Sequence, residues 1–340
     1  MESWTFRLLL AAGALLIVGL GAAAPGDPAP SRGLLVVANK GDHTLGIIDT
    51  VKGKQIAVLE ESGITAHEVV ASPDGRRAFA PIYGNSGVGA PGTDGRTVDV
   101  FDLATQKRIT TFDLGKPMRP HCGVFGPKNG LLYLTTELDN SITIIDPKTL
   151  KILGSVPTGQ PESHMLAITS DGKRGYTSNV HPGTVSVLDL EARKTLAVIH
   201  VSSNAQRIAL SVDDLWAFTA DQTKPQLAVI DTRSNAVTKW IPLEALAYGT
   251  AATLDGKWLL VTIPDPGRVA VVDLSSMRVV RSVTVPKDPQ EIVVRPDNQV
   301  AYVSCHTSKN VAAINLQTWK VDQVIDAGRL ADGLSWAKGQ

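Results

Sequence analysis

A hydrophobic–acidic dipeptide returns along this 340-residue chain at a nearly fixed interval, and that interval restricts the fold more than any other feature. It reads Ile48-Asp49, Phe101-Asp102, Ile145-Asp146, Leu188-Asp189, Ile230-Asp231 and Val272-Asp273, with an amide in the last copy, Ile314-Asn315. Successive spacings are 53, 44, 43, 42, 42 and 42 residues. A period of about 42 residues is that of a four-stranded propeller blade. The stretch 131–172 displays one module: LLYLTTELDN, SITIIDPKTL, KILGSVPTGQ and PESHMLAITSDG. Its short runs, mostly alternating, are separated by Asp139-Asn140, Asp146-Pro147, Thr158-Gly159 and Ser170-Asp171-Gly172, which reads as antiparallel strands joined by tight turns. One such meander cannot bury its faces alone, so it needs its copies. The expected fold class is all-β, a seven-bladed β-propeller of four-stranded blades.

The ends of the chain explain how the ring closes. Leu34 to Asn39 has the pattern of a second strand without an inner partner, and Asp332 to Ala337 has that of an inner strand with nothing after it. Pairing the C-terminal inner strand with the first N-terminal strand completes one blade and removes the open edges.

The second strands repeat as well: Val36-Val37-Ala38-Asn39, Tyr133-Leu134-Thr135-Thr136, Tyr176-Thr177-Ser178-Asn179, Phe218-Thr219-Ala220-Asp221 and Tyr302-Val303-Ser304-Cys305. Tight-turn sequences precede such strands, among them Ser72-Pro73-Asp74-Gly75 and Arg295-Pro296-Asp297. With these motifs the chain resembles the YVTN-repeat propellers, YncE-like proteins in particular, from about Gly33 to its end. The resemblance implies the fold; its members differ in function.

Composition narrows the partners. Lys plus Arg equals Asp plus Glu at 33 each, which argues against nucleic acid or an anionic membrane as the main partner. Residues 1–24 have the layout of a secretory signal peptide: Arg7, an apolar run from Leu8 to Leu20, then small residues to Ala24. Residues 25–32 read as a disordered leader and 33–340 as the propeller. The expected product is periplasmic or secreted, monomeric, and without a membrane span after cleavage; an uncleaved anchor is the other reading. Cys122 and Cys305 belong to no CxxC or CxxCH motif, so neither haem c nor a cysteine zinc site is expected, and both read as free buried thiols.

One repeat is longer than the rest because residues 84–95 are inserted. Gly87, Gly89 and Gly92 formally match G-x-G-x-x-G, but a strand follows where a dinucleotide site needs a helix, so no NAD is expected. The insertion reads either as a plain surface loop or as a cover over a pocket.

Aligning the inner strands on the turn after them gives one leading residue per blade: His67, His121, His164, Gln206, Tyr248, Gln290 and Asp332. All can hydrogen-bond, and together they should rim the mouth of the central channel. Arg119, Arg207 and His306 lie near the same face. Strand alternation places Arg207 and Glu68 on the side away from the ring. His67, His121 and His164 would suit one transition-metal ion, with Glu68 or Glu137 as a base on metal-bound water. Arg119 and Arg207 would hold a carboxylate or phosphate, or make inter-blade salt bridges. Three function classes follow: a binding protein holding a small molecule or exported protein partner in a polar funnel, a metal-dependent hydrolase or lyase, and a structural or cell-surface interaction module.

Overall fold

The recurrent acid closes the third strand of each blade and organises the turn beyond it. Asp49 Oδ1 accepts the N–H groups of Val51 and Lys52 at 3.0 and 2.9 Å, and Asp146, Asp231 and Asp273 repeat the pattern. Asn315 does the same through its amide oxygen, which is why the last copy tolerates the change. Four residues after each acid the backbone is left-handed, at Gly53, Gln106, Leu150, Arg193, Asn235, Met277 and Trp319. The capping bonds hold a conformation that side chains other than glycine disfavour.

The computed structural model describes Met1, residues 32–85 and residues 87–339. The expected signal segment and leader lie outside the described residues, apart from Met1 and Arg32. Within the unit 31–340 there are seven four-stranded antiparallel sheets, arranged as a β-propeller. The first blade joins Gly33–Asn39, Thr44–Asp49 and Lys54–Glu60 to the C-terminal strand Ala331–Lys338. Leu34 faces Ala337 and Val37 faces Leu334, so the two ends of the chain close the ring as expected. The following blades begin on inner strands Val70–Ala71, Pro120–Phe125, Ser163–Ile168, Ala205–Leu210, Thr250–Ala252 and Pro289–Val294.

Second and third strands are buried on both sides, whereas outer strands such as Lys107–Asp113 are mostly exposed. The core therefore lies between blades, as where Tyr176, Val187, Ile208 and Ala217 pack together. Burial of this apolar surface, at about 25 cal/mol per Å², supplies the main stabilising force.

The repeating hydroxyl of the second strand ties neighbouring blades. Thr135 Oγ1 accepts the Cys122 N–H at 2.8 Å and donates to the His164 carbonyl of the next blade at 2.9 Å. Thr262 accepts from the Gly249 N–H at 2.6 Å and donates to the Gln290 carbonyl at 2.9 Å. These bonds fix the backbone of the ring residues. No helix among the described residues is long and apolar enough to cross a membrane.

Candidate functional site: a closed polar hub

The ring positions sit where each inner strand begins, and the local backbone there is irregular. Arg119, Glu162, Asp288 and Leu330, each two residues before a ring position, have φ between 48° and 62°. Register shifts follow at Pro120/Gly123, Ser163/Leu166, Gln206/Ala209 and Pro289/Ile292. A bulge re-aims the side chains beside it.

His67, His121 and His164 come from three consecutive blades and meet. Ring centroids lie 5.3 Å apart for His67 and His121 and 3.9 Å for His121 and His164, and Tyr83 stacks on His67 at 4.6 Å. All three imidazoles are buried, His121 to 1% exposure. His67 Nε2, both nitrogens of His121 and Nδ1 of His164 have no hydrogen-bond partner. Burial holds the basicity of all three well below the ordinary histidine value, with the Arg207 and Lys40 charges acting in the same direction. The triad is therefore neutral near pH 7.

Arg207 stands beside it. Its Nη1 pairs with Glu68 Oε1 at 2.6 Å and with Glu291 Oε2, and its Nη2 donates to Asp332 Oδ1 at 3.0 Å. The guanidinium lies 4.8 Å from the Tyr248 ring centroid. One cation thus joins the first, second, fifth and seventh blades. Burial raises the Glu68 carboxyl well above the usual range, Arg207 opposes this, and Glu291 and Asp332 push it further up. Glu291 is raised by the same burial. Burial also pushes the Cys122 thiol up to about 12, so it is inert as a nucleophile; it and Cys305 are free and buried, as expected.

A second arginine network lines the rim. Arg119 bonds Asp94 at 2.6 Å, Glu137 Oε1 at 3.0 Å and the Ala90 carbonyl at 2.8 Å. Glu137 also accepts the Gly89 N–H at 3.1 Å and, on its other oxygen, the Tyr83 hydroxyl. The inserted segment is in this way held against the rim beside the triad. At the outer edge, His306 pairs with Asp288 at 3.2 Å, and Gln290 Nε2 donates to Asp288 at 2.6 Å. Gln206 is half-buried.

Several expectations need correction. Arg207 and Glu68 do not turn away from the ring: Arg207 contacts the ring residues Asp332 and Tyr248, because its left-handed backbone (φ 54°) and the adjoining bulge break the alternation. The structure does not support the transition-metal reading of His67, His121 and His164. The rings of His67 and His121 meet edge-on and those of His121 and His164 lie tilted against each other, and among the described residues no group of three or more His, Cys, Asp and Glu is placed to hold a metal ion. Glu68 and Glu137, considered as bases, are each paired with an arginine. Sequence reasoning missed Glu291, which follows Gln290 as Glu68 follows His67, and Tyr83, which opens onto the insertion.

Fold and hub together define a seven-bladed propeller with a closed polar centre. The family model described as "Cytochrome D1 heme domain" matches residues 126–254. Among solved structures, the chain is similar to Kuenenia stuttgartiensis hydrazine synthase, at 18% identity and TM-score 0.71, over 87% of this chain and 98% of that one. It is also similar to a functionally unknown protein from Desulfotomaculum acetoxidans, at 11% identity and TM-score 0.75, over 91% of this chain and 100% of that one. No curated protein matches it. At these identities the structural likeness shows the fold. The family match overturns the cofactor expectation, which allowed one transition-metal ion and neither haem c nor NAD: lack of CxxCH excludes only covalent attachment, and the matching family is a haem domain.

The hub itself does not fit a haem. Its imidazoles are in contact with one another and with Tyr83, which leaves no gap for a macrocycle beside a ring nitrogen. Arg207 and Arg119, which would meet haem carboxylates, already carry carboxylate partners. Clefts of about 410 and 560 Å³ open on the opposite face, lined by turn residues such as Asp49 and Gly75 or Asp213 and Asp255.

Proposed function

We propose that the protein is a YncE-like, exported binding propeller that holds a small polar ligand at its hub and performs no chemistry of its own. The observation that carries this reading is the set of four imidazole nitrogens, buried and without partners, among His67, His121 and His164. Each orphaned buried polar atom costs about 1–3 kcal/mol, a cost that a bound ligand with matching donors and acceptors would offset. The absence of an activated nucleophile supports binding over catalysis: the Cys122 thiol is held protonated, and both carboxylates considered as bases are occupied by arginines. Polar ring residues from consecutive blades and the inserted segment over the rim suit a pocket that encloses its ligand. The test is thermal denaturation against a broad set of small polar molecules. The expected outcome is a stabilising shift for at least one of them, abolished in His121→Ala without loss of β-structure by circular dichroism. If no molecule shifts the transition and a protein partner is captured through the same face, the interaction-module reading replaces this one.

A further inference from the structure

The charges at the hub specify what such a ligand must be. Three acidic side chains, Glu68, Glu291 and Asp332, surround a single guanidinium, so acids outnumber the cation that touches them. Arg207 donates from Nη1 to Glu291 and Met165 Sδ and from Nη2 to Asp332, while its Nε and the nearby Glu68 Oε1 have no hydrogen-bond partner. An anion would therefore meet a cation whose charge is already taken up by acidic partners. The second observation is independent of the acids. His121, 1% exposed, has no partner on either ring nitrogen, and as a neutral imidazole it offers one lone pair as an acceptor beside one N–H. Arg207 acts on the basicity of all three imidazoles, so triad and acids share one electrostatic site.

We infer that the hub binds a small organic ammonium ion, its N–H groups accepted by unpartnered imidazole nitrogens of the triad and its charge met by Glu68, Glu291 and Asp332. The inference rests on the small-ligand reading above and names the ligand class. Acceptors distributed over three blades suit an ion whose N–H bonds diverge. A bare metal ion needs donors that converge on a point, and among the described residues no group of three or more His, Cys, Asp and Glu is so placed. Contact between the rings limits the inserted group to a compact charged head.

The experiment is calorimetric titration and thermal denaturation of the whole protein with methylammonium and 1,4-diaminobutane chlorides. Sodium acetate and propane-1,2-diol are run beside them at matched ionic strength. Binding and stabilisation by the ammonium probes, weakened about ten-fold or more in Glu291→Gln, support the inference. Asp332→Asn serves as the second variant should Glu291→Gln fail to fold, and circular dichroism checks both. Binding of acetate or the diol without binding of either ammonium probe overturns the ligand class and leaves the small-ligand reading standing. Ammonium binding that is unchanged in the folded variants also overturns the assignment to this site. If none of the four probes binds, the ammonium inference falls. The small-ligand reading falls with it only if the broader set of polar molecules is equally silent.

Discussion

Arg119 and Arg207 flank ring residues of different blades, Arg119 two residues before His121 and Arg207 one after Gln206, and their surroundings differ. Arg119 is fully paired: two carboxylates and a carbonyl accept from it, and Glu137 is in turn satisfied by Tyr83 and Gly89. Arg207 is outnumbered, with three acids on one cation and orphaned imidazoles nearby. The first arrangement is a closed network that fixes the inserted segment to the rim. The second carries unspent acceptors, and that surplus separates a ligand site from a structural lock.

The contrast can be broken most forcefully at Arg207. Arg207→Met strands three buried acids and should cost about 3–5 kcal/mol at neutral pH by urea denaturation, a loss that shrinks in acid as the carboxyls protonate. A cost independent of pH would mean that the acids are not held by that cation. Glu61 offers a test of the same physics away from the hub. Its Oε1 is orphaned, and burial raises its carboxyl to about 7 from an ordinary 4.5. A raised acid stabilises the fold only while protonated, so wild-type stability should fall by about 3 kcal/mol as pH climbs from 4.5 to about 7. Glu61→Gln should remove most of that slope; an unchanged slope would contradict the assignment. Tyr83→Phe deprives Glu137 of a donor and should cost about 1–3 kcal/mol while leaving ligand-induced stabilisation intact. The smallest effect is expected at the triad. His121→Ala loses ring packing but relieves two orphaned nitrogens, so net stability at neutral pH should change by about 1 kcal/mol or less. The depressed imidazole has the opposite sign to Glu61: it costs stability as pH falls below 6.5, and the variant should be less acid-sensitive there.

The period of the acid dipeptide made the seven blades, the closing strand and the ring of His67, His121 and His164 legible from sequence, because each depends only on spacing. Side-chain direction was not. The alternation rule that sent Glu68 and Arg207 away from the ring holds for regular strands, but the strand carrying Arg207 bulges there and Glu68 precedes its strand, Val70–Ala71. Glu291 went unnoticed for the same reason. Three histidines brought to one place suggested a metal, but whether nitrogens converge depends on χ angles that no spacing encodes. The sequence reading addressed only haem c, through the missing CxxCH, and did not consider haem held without covalent attachment, the gap that the match over 126–254 exposes.

Nitrogen-15 NMR of the histidine rings during a methylammonium titration addresses the hub directly. His67, His121 and His164 should remain neutral well below pH 6.5 and shift together as the ion is added, while the exposed His181 and His200 stay still. Three imidazoles that protonate near the ordinary histidine value of about 6.5 and ignore the ion would contradict the account.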